Sequence, residues 1–174
     1  MDIIYKHGDL MTASERFIAH GCNAQGVMGS GVAKLIRDKY PEAYERYVGI
    51  HKMQGLELGD VDWTENTEPH FVINIISQEF YGRDPNVVYV SYDALRKAFR
   101  HLNACAADGV YMVRDDIKLD ALAMPLIGAG LANGRWSIIS KIIEEEATNF
   151  QPIVYLVDGI IPDGIIPSTD IVKL

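Results

Sequence analysis

Two glycine-rich stretches carry the clearest chemistry in this sequence. The first is His20-Gly-Cys-Asn-Ala-Gln-Gly-Val-Met-Gly-Ser-Gly31 and the second is Ile127-Gly-Ala-Gly-Leu-Ala-Asn-Gly134. Glycine allows positive φ angles and lets a ligand approach the backbone without meeting a Cβ atom. Where such a stretch leads into a helix, the free N–H groups of the first turn and the helix dipole form an anion site. The pair therefore predicts a cradle for a diphosphate that needs no lysine or arginine.

Turn chemistry alone is the alternative explanation, because glycine is common where a strand turns into a helix. The repetition of Gly-x-Gly at the same topological place favours a binding function. Neither stretch is a P-loop, which requires Gly-x4-Gly-Lys-Ser/Thr, and Lys34 stands where the dinucleotide fingerprint has glycine or alanine. Both familiar nucleotide motifs are excluded.

The charge balance agrees with binding through the backbone. The 174-residue chain has a formal net charge of -8, whereas a protein that wraps nucleic acid normally carries a basic patch. The basic clusters Lys34, Arg37 and Lys39, and Arg96, Lys97 and Arg100, lie at helical spacing and are interpreted as solvated helix faces. We expect no non-specific nucleic-acid binding.

The length, the apolar pattern and the cysteines define the class of protein. A chain of 174 residues suits one domain, here 1–174, and no apolar run reaches the roughly 20 residues of a membrane span. The N-terminus lacks the pattern of a secretion signal. With only Cys22 and Cys105, neither a disulfide framework nor a metal cluster is expected. We expect a cytoplasmic monomer (in the host cytoplasm if a phage encodes it) without membrane contact, metal or cofactor.

The elements that must position the glycine stretches alternate between strand and helix. Strands are expected at Asp2–Tyr5, Arg16–Ala19, Val61–Thr64, Phe71–Ile76, Ala121–Ile127 and Ile153–Val157, and helices at Gly31–Tyr40, Pro41–Ile50, Ser91–Gly109 and Trp136–Asn149. This alternation predicts an α/β fold of three layers, αβα, around a largely parallel sheet. A hairpin or surface excursion is expected over Asp108–Asp120. Ligands of such sheets lie beyond the carboxyl ends of the strands, where both stretches begin.

Four motifs together resemble the macrodomain family of ADP-ribose-binding modules. They are Gly8-Asp9-Leu10, Cys22-Asn23-Ala24, Gly29-Ser-Gly31-Val-Ala33 and Pro125-Leu-Ile-Gly-Ala-Gly-Leu131. The resemblance covers about residues 3 to 157 and implies a mixed, mostly parallel central sheet. With Trp136, the stretches His20–Asn23 and Gly128–Leu131 look most like the small stand-alone phage, bacterial and yeast members, which are described as ADP-ribose 1''-phosphate phosphatases.

The resemblance also implies a role for each matched residue. Asp9 would accept a hydrogen bond from the adenine amino group beside the Leu10 amide, and Asn23 would hydrogen-bond the distal ribose and help to position a water. Asp9 as a turn cap and Asn23 as a turn asparagine are the alternatives. The implied ligand contacts are Asp9, Leu10, Cys22, Asn23, Ala24, Gly29, Ser30, Gly31, Val32, Ile127, Gly128, Ala129, Gly130 and Leu131.

Three positions depart from the hydrolases of the family. One branch that removes ADP-ribose from proteins has an aspartate where this chain has Ala33. A glycohydrolase branch uses a lysine after the central strand and an aspartate after the second Gly-x-Gly-Leu, where this chain has Ser77 or Gln78, and Ala132. Both routes to glycosidic cleavage are therefore expected to be disabled.

Few groups remain for acid–base chemistry. His20 and Asn23 are the catalytic candidates, and His20 could equally be a hydrogen-bonded core histidine. Phosphoryl transfer can proceed by positioning and backbone electrostatics alone. Three hypotheses follow: a phosphatase acting on ADP-ribose 1''-phosphate, a non-catalytic ADP-ribose-binding module, and a hydrolase of O-acetyl-ADP-ribose or ADP-ribosylated macromolecules.

Overall fold

A seven-stranded sheet forms the centre of the protein. The computed structural model describes residues 1–65, 69–108, 117–165 and 171–173. The strands are β1 (Ile4–His7), β2 (Phe17–Asn23), β3 (Val61–Glu65), β4 (Phe71–Gln78), β5 (Ala121–Met124), β6 (Gln151–Leu156) and β7 (Ile171–Lys173). Their order is β3-β4-β2-β5-β6-β1-β7, and within these residues only the β3–β4 pair is antiparallel. The expected mixed, mostly parallel sheet is confirmed.

Helices cover both faces of this sheet. They are α1 (Gly31–Lys39), α2 (Pro41–Gln54), α3 (Tyr92–Asp108) and α4 (Trp136–Glu146). Successive residues of β2 point to opposite faces, as the pleat requires. Phe17 packs in the cluster that holds Phe99 of α3 and Trp136 of α4, whereas Ile18 packs in the cluster that holds Ile36 of α1. The three-layer αβα architecture is confirmed.

Several boundaries differ from the sequence-based expectation; β5, for example, ends at Met124 rather than at Ile127. Strand β2 continues four residues past Ala19, because its parallel pairing with β4 extends to Asn23 opposite Gln78, with a register shift between Cys22 and Asn23. Helix α4 ends at Glu146 rather than at Asn149, because the Asn103 side chain accepts hydrogen bonds from the amides of residues 148 and 149. The expected helix end at Gly109 and most of the expected excursion over 108–120 lie outside the described residues.

The carboxyl ends of the parallel strands meet along one edge of the sheet. Along this edge β1 lies three strand spacings from β2 and four from β4. At about 4.8 Å per spacing, these separations are about 14 Å and 19 Å. Only an elongated ligand can contact the loops after β1 and after β2 together. In the described part of the chain, no helix has the length and apolarity to cross a membrane.

Candidate functional site

A cavity of about 470 Å³ opens where β2, β4 and β5 end. Both glycine-rich stretches border it, as does the segment after β4. Its lining residues are His20, Gly21, Cys22, Asn23, Val27, Gly29, Ser30, Gly31, Val32, Ala33, Ser77, Gln78, Tyr81, Gly82, Arg83, Pro125, Leu126, Ile127, Gly128, Gly130, Leu131 and Ala132. The cavity therefore lies where an open α/β sheet normally binds its ligand.

Asn23 shapes the first glycine loop. Its side-chain Nδ2 donates to the Val27 carbonyl at 2.7 Å, and Oδ1 accepts from the amides of Gln25 at 3.0 Å and Val27 at 3.3 Å. Tyr47 of α2 donates to the Asn23 carbonyl at 2.6 Å and also lies 3.0 Å from Oδ1. The turn alternative for Asn23 is therefore realised, and one Nδ2 hydrogen is left for a ligand.

The N-terminus of α1 faces the cavity without a side-chain cap. Ser30 occupies the N-cap position in an extended conformation, and its side chain makes no capping hydrogen bond. The amides from Gly29 to Ala33 donate no hydrogen bond to the described part of the chain, whereas the Lys34 amide donates to Ser30. These free amides and the helix dipole form the kind of anion site that the sequence indicates for this loop.

The second glycine loop differs from that expectation. Its amides at Gly128, Gly130 and Leu131 have no acceptor among the described residues. The N-terminus of α4, however, is capped by Asp163, whose carboxylate accepts from the amides of Trp136 at 3.0 Å and Ser137 at 3.1 Å. The expectation that this helix end also binds anion was wrong, because a side chain distant in sequence occupies it. The loop amides alone remain for a phosphate.

Asp9 and Leu10 lie outside the cavity, beyond the end of β1. The Asp9 carboxylate caps a short 3-10 turn, where Oδ1 accepts from the Met11 amide at 2.9 Å. Oδ2 accepts no hydrogen bond from the described residues, and the Asp9 residue is exposed. The Leu10 side chain is buried in the core. The adenine role of this pair stays a prediction that an elongated ligand would satisfy.

His20 is a neutral core residue. Asn74 donates to the Ala43 carbonyl through Nδ2, so its Oδ1 is the acceptor 2.7 Å from His20 Nε2. Burial lowers the pKa of His20 to about 4, although the Asn74 hydrogen bond acts in the opposite direction. At neutral pH this imidazole is therefore an uncharged and weak base. The geometry favours the core-histidine alternative.

Cys22 offers no nucleophile. Its side chain is buried, and burial, reinforced by the Asp62 carboxylate, raises the pKa of the thiol well above its ordinary range. No aspartate, glutamate or lysine lines the cavity as described, and no group of three potential metal ligands occurs in the described ranges. Besides the Arg83 guanidinium, the polar groups along the cavity are backbone amides and uncharged side chains.

Most of the expected contact residues come together in this cavity, and four do not. Those that line it are His20, Cys22, Asn23, Gly29, Ser30, Gly31, Val32, Ile127, Gly128, Gly130 and Leu131. Ala24 is buried beneath the first loop, and Ala129, like Asp9 and Leu10, is absent from the lining. The departures at Ala33, Ser77, Gln78 and Ala132 do line the cavity, so the acids and the lysine of related hydrolases are missing from the site itself.

The segment 79–90 after β4 was missed from the sequence. It brings Tyr81, Gly82 and Arg83 to the cavity. The Ser77 hydroxyl at the end of β4 is buried and has no hydrogen-bond partner in the described structure. The segment has no Gly-x-Gly pattern, yet the rule that ligands lie beyond strand carboxyl ends applied to β4 as well.

Comparison with known families identifies the fold. Residues 19–143, which include both glycine loops, match the family model described as the Macro domain. The chain belongs to the macrodomain family. Proteins similar to this chain include an uncharacterized 17.5 kDa protein of Enterobacteria phage T4, 29% identical over 88% of this chain and 96% of its own length. The ADP-ribose 1''-phosphate phosphatase of Candida albicans is 27% identical over 82% of this chain and 92% of its own length.

Solved structures agree with this macrodomain assignment. A protein of unknown function from Bacteroides thetaiotaomicron superposes with a TM-score of 0.74 at 26% identity, covering 90% of this chain and 98% of the other. The Thermosipho africanus DarTG structure in complex with ADP-ribose gives a TM-score of 0.70 at 18% identity, over 90% of this chain and 42% of the other. At that identity the second likeness concerns the fold alone.

Proposed function

We propose that this macrodomain binds ADP-ribose and hydrolyses ADP-ribose 1''-phosphate to ADP-ribose and phosphate. The observation that carries the proposal is the cavity between two loops in which the amides of residues 29–33 and of Gly128, Gly130 and Leu131 donate to no acceptor within the described chain. A diphosphate fits such paired amides without a cationic clamp. The similarity to the Candida albicans phosphatase over most of both chains supports the choice of substrate.

Catalysis would depend on positioning. In-line attack of water on a phosphate monoester needs little covalent help from the protein if water and leaving group are aligned and the charge is stabilised. Asn23 would act as a positioning residue through its remaining Nδ2 hydrogen, because Oδ1 is already engaged by three donors. His20 would be only a weak general base near neutral pH, since its pKa is about 4. We therefore expect slow turnover.

Phosphate release from purified protein and ADP-ribose 1''-phosphate tests the proposal. Asn23→Ala should reduce release at least tenfold and weaken ADP-ribose binding in calorimetry, because it removes the group that shapes the loop. The matched control is Asn86→Ala, because that asparagine is exposed and does not line the cavity. Release that is equal in both variants would contradict the role of Asn23, and no release from the wild type would remove the phosphatase.

A binding module without turnover is the second candidate. The observation that favours it is the lack of any aspartate, glutamate or lysine along the cavity as described, together with the low pKa of His20, about 4. Calorimetry that detects ADP-ribose binding in a protein that releases no phosphate would establish this function. Hydrolysis of O-acetyl-ADP-ribose or of ADP-ribosylated macromolecules is less favoured, because Ala33 and Ala132 line the cavity where related hydrolases have acids.

The remaining proposals concern the whole chain. We propose that residues 1–174 form a single macrodomain, since the matched residues 19–143 share their sheet with β1 and β6 outside that range. We further propose a monomer in the cytoplasm, or in the host cytoplasm for a phage protein. The similarity to a phage T4 protein supports the latter setting.

A further inference from the structure

Arg83 is the only arginine or lysine that lines the cavity in the described structure. Arg83 is exposed, and its side chain makes neither an ion pair nor a hydrogen bond with any other described residue. Exposed cations without a described partner also occur elsewhere, for example Arg16 and Lys141, so what distinguishes Arg83 is its place on the cavity.

The carboxylates nearest in sequence are engaged elsewhere. Asp84 accepts from the Asn86 amide at 2.9 Å, and this bond closes a turn. Glu79 lies 3.4 Å from the Gln25 side-chain amide of the first glycine loop. No described carboxylate takes up the five donors of the Arg83 guanidinium, which lines the cavity.

The backbone that carries Arg83 is fixed to the second glycine loop. Asn133 donates through Nδ2 to the carbonyls of Asp84 at 2.9 Å and Val87 at 2.7 Å. The Tyr89 amide donates to the Ala132 carbonyl at 2.9 Å, and the Tyr89 hydroxyl accepts from the Asp84 amide at 3.2 Å. Because Gly82 packs directly on the Tyr89 ring, a Cβ there would lie 2.1 Å from the hydroxyl oxygen. Arg83 is thus presented from a braced segment.

The position of Arg83 along the edge of the sheet determines which part of an elongated ligand it can contact. Segment 79–90 follows β4, and Asp9 follows β1, four strand spacings away along the same edge. If adenine lies near Asp9 and the diphosphate lies between the glycine loops, the distal ribose falls at the end of the cavity beside β4. A group attached beyond the distal ribose then meets Arg83.

We propose that Arg83 is the residue that selects a phosphate monoester on the distal ribose over unmodified ADP-ribose. The inference rests on the proposed function and names the specificity of the same site. A guanidinium binds a phosphate through two parallel N–H···O contacts, a geometry that neither lysine nor a free amide reproduces. Unmodified ADP-ribose lacks this phosphate, so it gains little from Arg83. After hydrolysis the product loses the contact, which favours its release.

Steady-state kinetics separate this role from general ligand binding. In one assay, KM is measured for ADP-ribose 1''-phosphate, and the inhibition constant is measured for ADP-ribose as a competitor. Arg83→Gln should raise KM about tenfold or more and leave the inhibition constant within about twofold, with Arg83→Lys intermediate. Arg16→Gln is the matched control, because Arg16 is exposed just before β2, at the opposite edge of the sheet. It should change neither constant.

Two results would overturn the assignment of Arg83. An equal rise in both constants would place Arg83 on the diphosphate, which both ligands share, and unchanged constants would remove it from the site. A loss of thermal stability is not expected from an exposed side chain, and melting curves of both variants check this.

Calorimetry distinguishes failure of the inference from failure of the proposed function. If the wild type releases no phosphate, the two ligands are titrated into wild type and Arg83→Gln. A preference for the 1''-phosphate that disappears in the variant would support Arg83 while rejecting the phosphatase. A preference that persists in the variant, or its absence from the wild type, overturns the inference. A wild type that binds neither ligand rejects both.

Discussion

Asn23 illustrates how one side chain can serve both the loop and the ligand. Its carboxamide accepts hydrogen bonds from two loop amides and from Tyr47, and it donates one to Val27. Each such bond contributes about 1 kcal/mol net, and leaving a buried partner unpaired costs more. The residue that would position a substrate is therefore also the residue that holds its own loop in shape.

The buried imidazole of His20 makes the free energy of unfolding depend on pH. Its pKa falls from 6.5 to about 4 on folding, so the unfolded chain binds a proton that the folded chain does not. The stability contributed by the neutral imidazole is complete above pH 6.5. It is lost as the pH falls through the interval from 6.5 to 4, by about 3 kcal/mol in all. Urea unfolding at several pH values measures this loss.

Two histidine variants separate the effect of His20 on stability from the effect of carboxylates that titrate in the same pH range. His20→Gln should flatten the pH dependence between 6.5 and 4, since it removes the group whose pKa shifts. His101→Gln should retain the wild-type slope, because that histidine is exposed on α3. Equal slopes in His20→Gln and the wild type would show that His20 does not carry the effect.

The sequence predicts which single residues matter for the site better than it predicts which residues they contact. Asn23 stands out from its motif, but its partner Tyr47 lies 24 residues further along, on a helix whose docking no local pattern encodes. The Asp163 cap on α4 comes from 27 residues beyond the amide that it binds, so the availability of that helix end could not be judged from the glycine loop. Tertiary contacts decide which amides are free.

The packing between strands β2 and β4 depends on Gly21. A Cβ on Gly21 would lie 2.7 Å from the Ser77 hydroxyl and 3.3 Å from Ile127 Cγ1. The Ser77 hydroxyl, moreover, has no hydrogen-bond partner among the described residues. Because residue 21 has no side chain, the Ser77 side chain has room at the floor of the cavity.

A double-mutant cycle tests this fit. Gly21→Ala should lower the unfolding free energy by about 1–3 kcal/mol through overpacking. Ser77→Ala should be close to neutral, because it removes a buried hydroxyl that has no partner. In the double variant the cost of Gly21→Ala should fall by about 1 kcal/mol, since the Ser77 Cβ is 3.7 Å away. Urea denaturation measures all four proteins.

Gly49 supplies the control for that cycle. A Cβ there meets nothing within 4 Å on helix α2, so Gly49→Ala should stabilise by about 0.5–1 kcal/mol and add to Ser77→Ala without coupling. Additive effects for Gly21→Ala and Ser77→Ala would contradict the proposed contact.

Most of the elements followed from the sequence because periodicity and turn residues determine them locally, but the short edge strand β7 was not predicted. The buried strand β4 and the helix capped by Ser91, whose hydroxyl accepts from the Ala94 amide at 3.1 Å, lie where the pattern indicates. The extension of β2 to Asn23 did not follow, because glycine and asparagine there indicate a turn unless β4 supplies a pairing edge. The role of segment 79–90 is likewise set by contacts with a loop more than forty residues away.

The net negative charge of the whole molecule disfavours the binding of polyanions such as DNA. With a net charge of -8, and Arg83 as the only arginine or lysine lining the described cavity, random-sequence duplex DNA should not compete with ADP-ribose at physiological salt. Fluorescence competition measures this, with inorganic pyrophosphate as the positive control for the amide cradle. Displacement by DNA comparable to that by pyrophosphate would contradict this expectation.

The hydrogen bonds that join Asn133 to segment 79–90 also affect the kinetics of ligand binding. Asn133 has a φ of 57°, the one positive value outside glycine among the described residues, and its side chain joins two loops at the mouth of the cavity. The entropy of ordering these loops is therefore lost when the chain folds, not when a ligand arrives. Association then requires little rearrangement, and ligands of this site should differ mainly in how long they stay.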